Sequence, residues 1–129
     1  MRKIEVFIVV LLLLIPSLVY AANEGKIAVA AEGRTANAEV SGVAARTPYF
    51  LIFDGKGKLM EAVDTPYKTA RGGAGTSVVP FLDQKGVTFV VAGEFGENMT
   101  QAMKTHGIQF LQFKGSAEAA VKKVLEARK

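Results

Sequence analysis

Three arginines, Arg34, Arg46 and Arg71, fall in two polar stretches of this chain, residues 32–47 and 65–75. The second stretch ends in the run Gly72, Gly73, Ala74, Gly75, and a further glycine pair, Gly93 and Gly96, encloses Glu94 in GEFG. A guanidinium offers several fixed donors to an oxyanion or a thiometallate. Glycine-rich backbone ahead of a helix can turn its N–H groups toward an anion at the positive helix end. If the two stretches converge, the chemistry on offer is the holding of a small anion. The alternative at each position is ordinary surface: loop arginines are usually solvated, and a glycine run can be a flexible lead-in to a helix. The run also lacks the lysine and the spacing of a P-loop.

Other chemistries are excluded by composition. The chain has no cysteine and one histidine, His106. Disulfides, thiolate metal sites and cysteine nucleophiles are therefore ruled out, as is a multi-histidine zinc site within one chain. Asp54, Asp64 and Glu94 belong to separate elements, and nothing in their spacing groups them into the carboxylate cluster of a two-metal nuclease. No nucleophile–base constellation is visible, so the protein is not expected to be an enzyme. The net charge of +4 is too small to indicate nucleic-acid binding. His106 reads as a helix-capping or solvent-facing residue. Met99 and Met103 read as core more readily than as a copper-type thioether pair.

The first 21 residues read as an address. Arg2 and Lys3 form a basic start, an apolar run extends from Val6 to Ile15, and Pro16 follows. Val19 and Ala21 place compact residues at −3 and −1 of a cleavage site. The apolar run is about 10 residues, whereas a bilayer span needs about 20. The pattern predicts a signal peptide over 1–21, one domain over 22–129, and an exported, periplasmic product with no membrane contact after cleavage. An uncleaved anchor over residues 4–22 is the alternative; Glu5 and Pro16 weigh against it. Loss of Arg2, Lys3 and Glu5 with the leader lowers the net charge from +4 to +3.

Patterning predicts the elements that must position the candidate residues. Residues 26–31 (KIAVAA), 49–54 (YFLIFD) and 87–92 (VTFVVA) are apolar runs of the kind buried in a sheet. Gly55-Lys56-Gly57 turns the second strand into a third at 58–64, with Leu59, Glu61 and Val63 on one side. A helix is predicted over 76–85, with Pro80 in its first turn or so. Phe95, Met99, Ala102 and Met103 mark one face of a second helix that stops at Gly107. A strand follows at 108–113. Ser116 then caps a last helix with Ala117, Ala120, Val121, Val124 and Leu125 inward. Strand–helix alternation in the second half predicts parallel crossovers. The fold class is α/β: a five-stranded mixed sheet covered by three helices. Ligands of such sheets gather at the strands' carboxyl ends, here the segments 32–47, 65–75 and 93–97.

Five segments, KIAVAAEG (26–33), VSGVAARTPYFLIFD (40–54), GGAG (72–75), KGVTFVVAGEFG (85–96) and HGIQF (106–110), stand in a distinctive order and spacing. Together they resemble the dinitrogenase iron-molybdenum cofactor biosynthesis family, which includes NifX-like carriers and the cofactor-binding part of NifB-like proteins. The resemblance covers nearly all of residues 26–129. It implies an RNase H-like three-layer fold with strand order 3-2-1-4-5 and strand 2 antiparallel. It also implies binding or carriage of a cofactor, an iron-, molybdenum- or copper-containing cluster, without substrate turnover. The family's loop motif is close to V-S-P-H-F-G-R-A. Val40, Ser41 and Arg46 match it, Val43 stands where histidine is common, and Ala44 and Ala45 replace Phe and Gly.

These readings converge on an exported binding protein for a small anionic metal cofactor or oxyanion. Its expected contacts are Arg34, Ser41, Arg46, Arg71, Gly72, Gly73, Gly75 and Gly93. The alternative is a degenerate family member that serves as a protein-interaction module at the cell envelope. N-terminal sequencing of the protein recovered from an expressing bacterial host is expected to start at Ala22. Recovery of Met1 in the membrane pellet would establish the anchored form instead.

Overall fold

The computed structural model describes residues 25–65 and 74–128. Five strands, β1 (Lys26–Ala31), β2 (Tyr49–Phe53), β3 (Leu59–Asp64), β4 (Val87–Ala92) and β5 (Gln109–Gln112), form one sheet in the order β3-β2-β1-β4-β5. Strand β2 is antiparallel to both neighbours, while β1, β4 and β5 are parallel. Three helices, α1 (Ala74–Gln84), α2 (Glu97–Thr105) and α3 (Ala117–Ala127), and one 3-10 turn, Ala44–Arg46, complete the described elements. The order and the one reversed strand are those the family resemblance implies. The expected signal peptide lies outside the described residues. No described helix is long and apolar enough to cross a membrane.

Continuous apolar strands arise here because both faces of the sheet are covered. On one face Ile27, Val29, Leu51 and Val91 pack against the α3 stripe Ala117, Ala120, Val121 and Val124. On the other, Ala28, Ala30, Phe50, Ile52 and Val90 pack against Val78, Val79 and Leu82 of α1 and Met99 and Met103 of α2. The two methionine thioethers are thus core packing, 1% and 0% exposed. Ser116 caps α3, its Oγ accepting from the Ala119 amide at 3.2 Å. The chain leaves α2 through Gly107 at φ +71°, a conformation that favours glycine.

Several boundaries shift by a residue or two, and three differences from the sequence reading have a clear physical reason. The alternation expected along 58–64 breaks at a bulge: Phe53 pairs with Leu59 but Ile52 pairs with Glu61. Met60 is the extra residue and stands 53% exposed. Leu59 therefore packs on the α3 side and Val63 on the other, rather than together. Strand β2 stops at Phe53 because the Asp54 carboxylate accepts the Lys56 and Lys58 amides, both at 2.9 Å, and bends the chain. Those bonds, the Lys58 amide foremost, hold the Asp54 carboxyl below the usual carboxylate range. Helix α1 starts at Ala74, so Gly75 lies inside its first turn rather than ahead of it, and Pro80 is interior. A mid-helix proline costs ~3 kcal/mol, but burial of Val78, Val79 and Leu82 around it contributes about 1.5–3 kcal/mol each.

Phe50 is fully buried where the sheet meets α1. Phe50→Ala is expected to lower unfolding stability by ~3–5 kcal/mol. In urea denaturation the midpoint should fall while the slope stays unchanged.

Candidate functional site

The residues between β1 and β2 do not hang free; their backbone is laced across the carboxyl ends of the parallel strands. The Ser41 amide donates to the Ala30 carbonyl at 2.7 Å, and the Ser41 carbonyl accepts the Gly93 amide at 2.8 Å. One residue thereby joins the ends of β1 and β4. The Val40 amide reaches the Gly115 carbonyl at 2.8 Å, and the Ala44 amide reaches the Glu94 carbonyl at 3.1 Å. The Thr47 hydroxyl ties the return to the Ala31 carbonyl at 3.0 Å. A long loop with these anchors is held in one path.

Glycine is required where the strands meet this lacing. A Cβ on Gly93 would stand 2.9 Å from the Gly42 Cα and 3.1 Å from the Ser41 carbonyl oxygen. Gly42 faces the other way, and a Cβ there would meet nothing within 4 Å. Above this contact lies a cleft of about 500 Å³. Gly42, Val43, Gly93 and Glu94 form one wall, Phe113, Lys114 and Gly115 another, and Glu39 and Val40 close it. The cleft sits across β1, β4 and β5, where the chain's strand order reverses direction and where such sheets take ligands.

Among the described residues the Gly42, Val43 and Lys114 amides have no hydrogen-bond partner, and neither do the Val40, Gly42, Gly93 and Lys114 carbonyls. The cleft is therefore lined by spare backbone donors and acceptors alike. Its side-chain charges are Glu39 and Glu94 against Lys114, so an acceptor-rich guest would be held by N–H groups and one ammonium rather than by net positive charge. Helix α3, which also begins at this edge, has no spare donors. The Ala117 and Glu118 amides donate to the Ala38 and Ala36 carbonyls, each at 2.8 Å, and Ser116 takes Ala119. Helix α2 begins after Gly96 with no side-chain cap.

The expected site residues divide accordingly. Gly93 lines the cleft and Ser41 is buried beneath it, 4% exposed. Arg46 ends the 3-10 turn beside α1 and is exposed. Arg34 is engaged elsewhere: its guanidinium donates to both Asp64 carboxylate oxygens, at 3.0 and 3.1 Å, and lies 4.9 Å over the Tyr49 ring. Gly75 is helical. Arg71, Gly72 and Gly73 lie outside the described residues. Phe113 and Lys114 were missed in sequence. The signal for them was available, since they follow the last parallel strand and strand carboxyl ends are where ligands sit.

No group of three or more His, Cys, Asp or Glu able to hold a metal occurs among the described residues. His106 caps α2 at the far end of the sheet and meets Asp83 at 2.8 Å. Val43, at the motif's histidine position, is 48% exposed on the cleft wall. Gly93→Ala is expected to destabilise the fold by ~1–3 kcal/mol through backbone overlap, while Gly42→Ala should be near neutral. Denaturation midpoints and hydrogen exchange of the amides over 40–44 check both.

The comparisons with known proteins agree with the fold. The chain is 27% identical to the orange protein of Desulfovibrio gigas, solved in its apo form, over 81% of this chain and 89% of that one, with a TM-score of 0.75. It is 30% identical to a Thermotoga protein described as a candidate NifB protein of the DUF35 family, over 81% and 90%, with a TM-score of 0.69. A candidate dinitrogenase from Methanocaldococcus jannaschii shares the fold at 13% identity, over 80% and 89%, with a TM-score of 0.54. No curated protein matches the chain. The family model described as dinitrogenase iron-molybdenum cofactor matches residues 25–127, and the chain belongs to that family.

Proposed function

We propose that this protein is an exported carrier that holds a small anionic metal cofactor or oxyanion in the cleft at the carboxyl ends of β1, β4 and β5. Membership of an iron-molybdenum cofactor family supports carriage of such cargo. The observation that carries the reading is the row of spare donors, the Gly42, Val43 and Lys114 amides with the Lys114 ammonium, around a cleft of about 500 Å³. The donor set fits a guest whose own peripheral oxygen or sulfur atoms accept hydrogen bonds. It does not supply metal ligands, since Val43 replaces the motif's histidine and the chain has no cysteine. Cargo would be gripped from outside without exchange of its ligands. Export is supported by the basic start, the apolar run and the compact residues before Ala22.

A second reading has one observation in its favour. Val43 and Phe113 give the cleft an apolar component that a protein partner at the envelope would also bury.

The test is binding of cargo to purified protein from a host supplied with iron and molybdate. Elemental analysis should find bound metal. Molybdate or tetrathiomolybdate at a hundredfold its Kd should stabilise the fold by about 2.7 kcal/mol. Lys114→Ala should weaken that binding ~10-fold, as expected for loss of a charge-assisted bond. No bound metal and no thermal shift with either anion would overturn the carrier and leave the partner-binding reading.

A further inference from the structure

We propose that the end of the sheet opposite the cleft is a docking face for an anionic lipid surface, so that the domain, against the sequence expectation of no membrane contact after cleavage, rests on a membrane with its cleft turned outward. This inference does not depend on what the cleft holds. Charge is divided between the two ends of the sheet. At the amino ends of the parallel strands stand Lys26, Lys56, Lys58, Lys85, Lys104 and Arg128, against Asp54, Glu61, Asp83 and Glu126. At the carboxyl ends the balance is reversed, with Glu32, Glu39, Asp64, Glu94, Glu97 and Glu118 against Arg34, Arg46 and Lys114.

Helix dipoles account for part of this division. Lys104 lies in the last turn of α2 and Arg128 at the C-cap of α3. Lys85 is paired with Glu61 at 2.7 Å. The dipoles do not account for Lys26, Lys56 and Lys58, which belong to strand β1 and to the β2–β3 turn, and Lys56 and Lys58 are exposed. Cations clustered at one end of a domain are drawn to anionic headgroups within a screening length of about 10 Å.

The chain's own course brings this end to the membrane. Residue 25 emerges here, fixed by Arg128, whose guanidinium donates to the Gly25 carbonyl at 3.2 Å and to the Thr88 hydroxyl at 3.4 Å. The leader closes at Ala21, four residues earlier in sequence. Four extended residues reach at most ~14 Å, so while the leader is retained in the bilayer this face is kept within about one to one and a half screening lengths of it. Strand β1 then carries the chain ~20 Å away from the bilayer to the cleft.

The test uses residues 22–129 on vesicles; the family model spans residues 25–127, and among the described residues both apolar layers are built from residues after Lys26. Flotation is expected with mixed phosphatidylglycerol–phosphatidylcholine vesicles, not with phosphatidylcholine alone. Binding should be lost at about 1 M salt, where the screening length is ~3 Å. Lysine acetylation read by mass spectrometry should show Lys26, Lys56, Lys58 and Lys104 protected on the vesicle and Lys114 still reactive. The Lys56→Glu/Lys58→Glu double variant should bind ~20-fold more weakly. Absence of flotation with the anionic vesicles would overturn the proposal. So would protection of Lys114 ahead of the others, or wild-type binding by the double variant.

Discussion

Two parallel neighbours, β1 and β4, end side by side with no turn to join them, and the backbone of Ser41 fills the space between. Its amide is taken by Ala30 and its carbonyl by Gly93. A buried backbone needs both groups satisfied, so the segment has little choice of path. The rest of that edge follows from this placement. Gly93 must lack a side chain because Gly42 lies against it. Val43 is carried outward onto the cleft wall, and the next residues close a 3-10 turn against α1. Among the described amides without a partner are those of Gly42 and Val43, the residues just past the bridge.

Because the bridge is backbone, it is largely indifferent to side chains. Residues 40–47 depart from the motif they resemble at Gly42, Val43, Ala44, Ala45 and Thr47, and Gly42 brings an amide where the motif's proline has none, yet the lacing through Ser41, Ala44 and Gly93 is complete. A site built from peptide N–H groups keeps its geometry when its side chains change, provided the glycines stay. That distinction separates loss of a metal ligand from loss of a pocket. Val43 removes the first and leaves the second, so family membership and an altered donor set are compatible in one chain.

What the sequence disclosed follows the same line. Continuous apolar runs revealed β1 and β4, and the i, i+3, i+4 spacing revealed α3 with its Ser116 cap, because burial on both faces and a helical stripe leave periodic marks. The bulge at Met60 left none, since one extra residue in a short strand looks like the next step of an alternation. Arg34 could not be placed from spacing, because Asp64, which engages it, is 30 residues away in sequence. The path of 32–47 left no mark either. Its anchors are amides and carbonyls, which every residue carries and no pattern reveals.

The topology also separates two tasks that a small domain could easily confuse. A sheet with its parallel strands all pointing one way has two unlike ends. Loops that follow strands gather at one, and the starts of strands and the ends of helices gather at the other. Strand β1 spans both: Gly25 precedes it at the second end, and Ala30 and Ala31 underlie the cleft at the first. Its side chains at 27–31 are wholly excluded from water, packed by three helices and two neighbouring strands. A pull on Gly25 and a guest in the cleft would therefore act on opposite ends of one wholly buried strand, and its packing on both faces resists displacement of the laced loop by either.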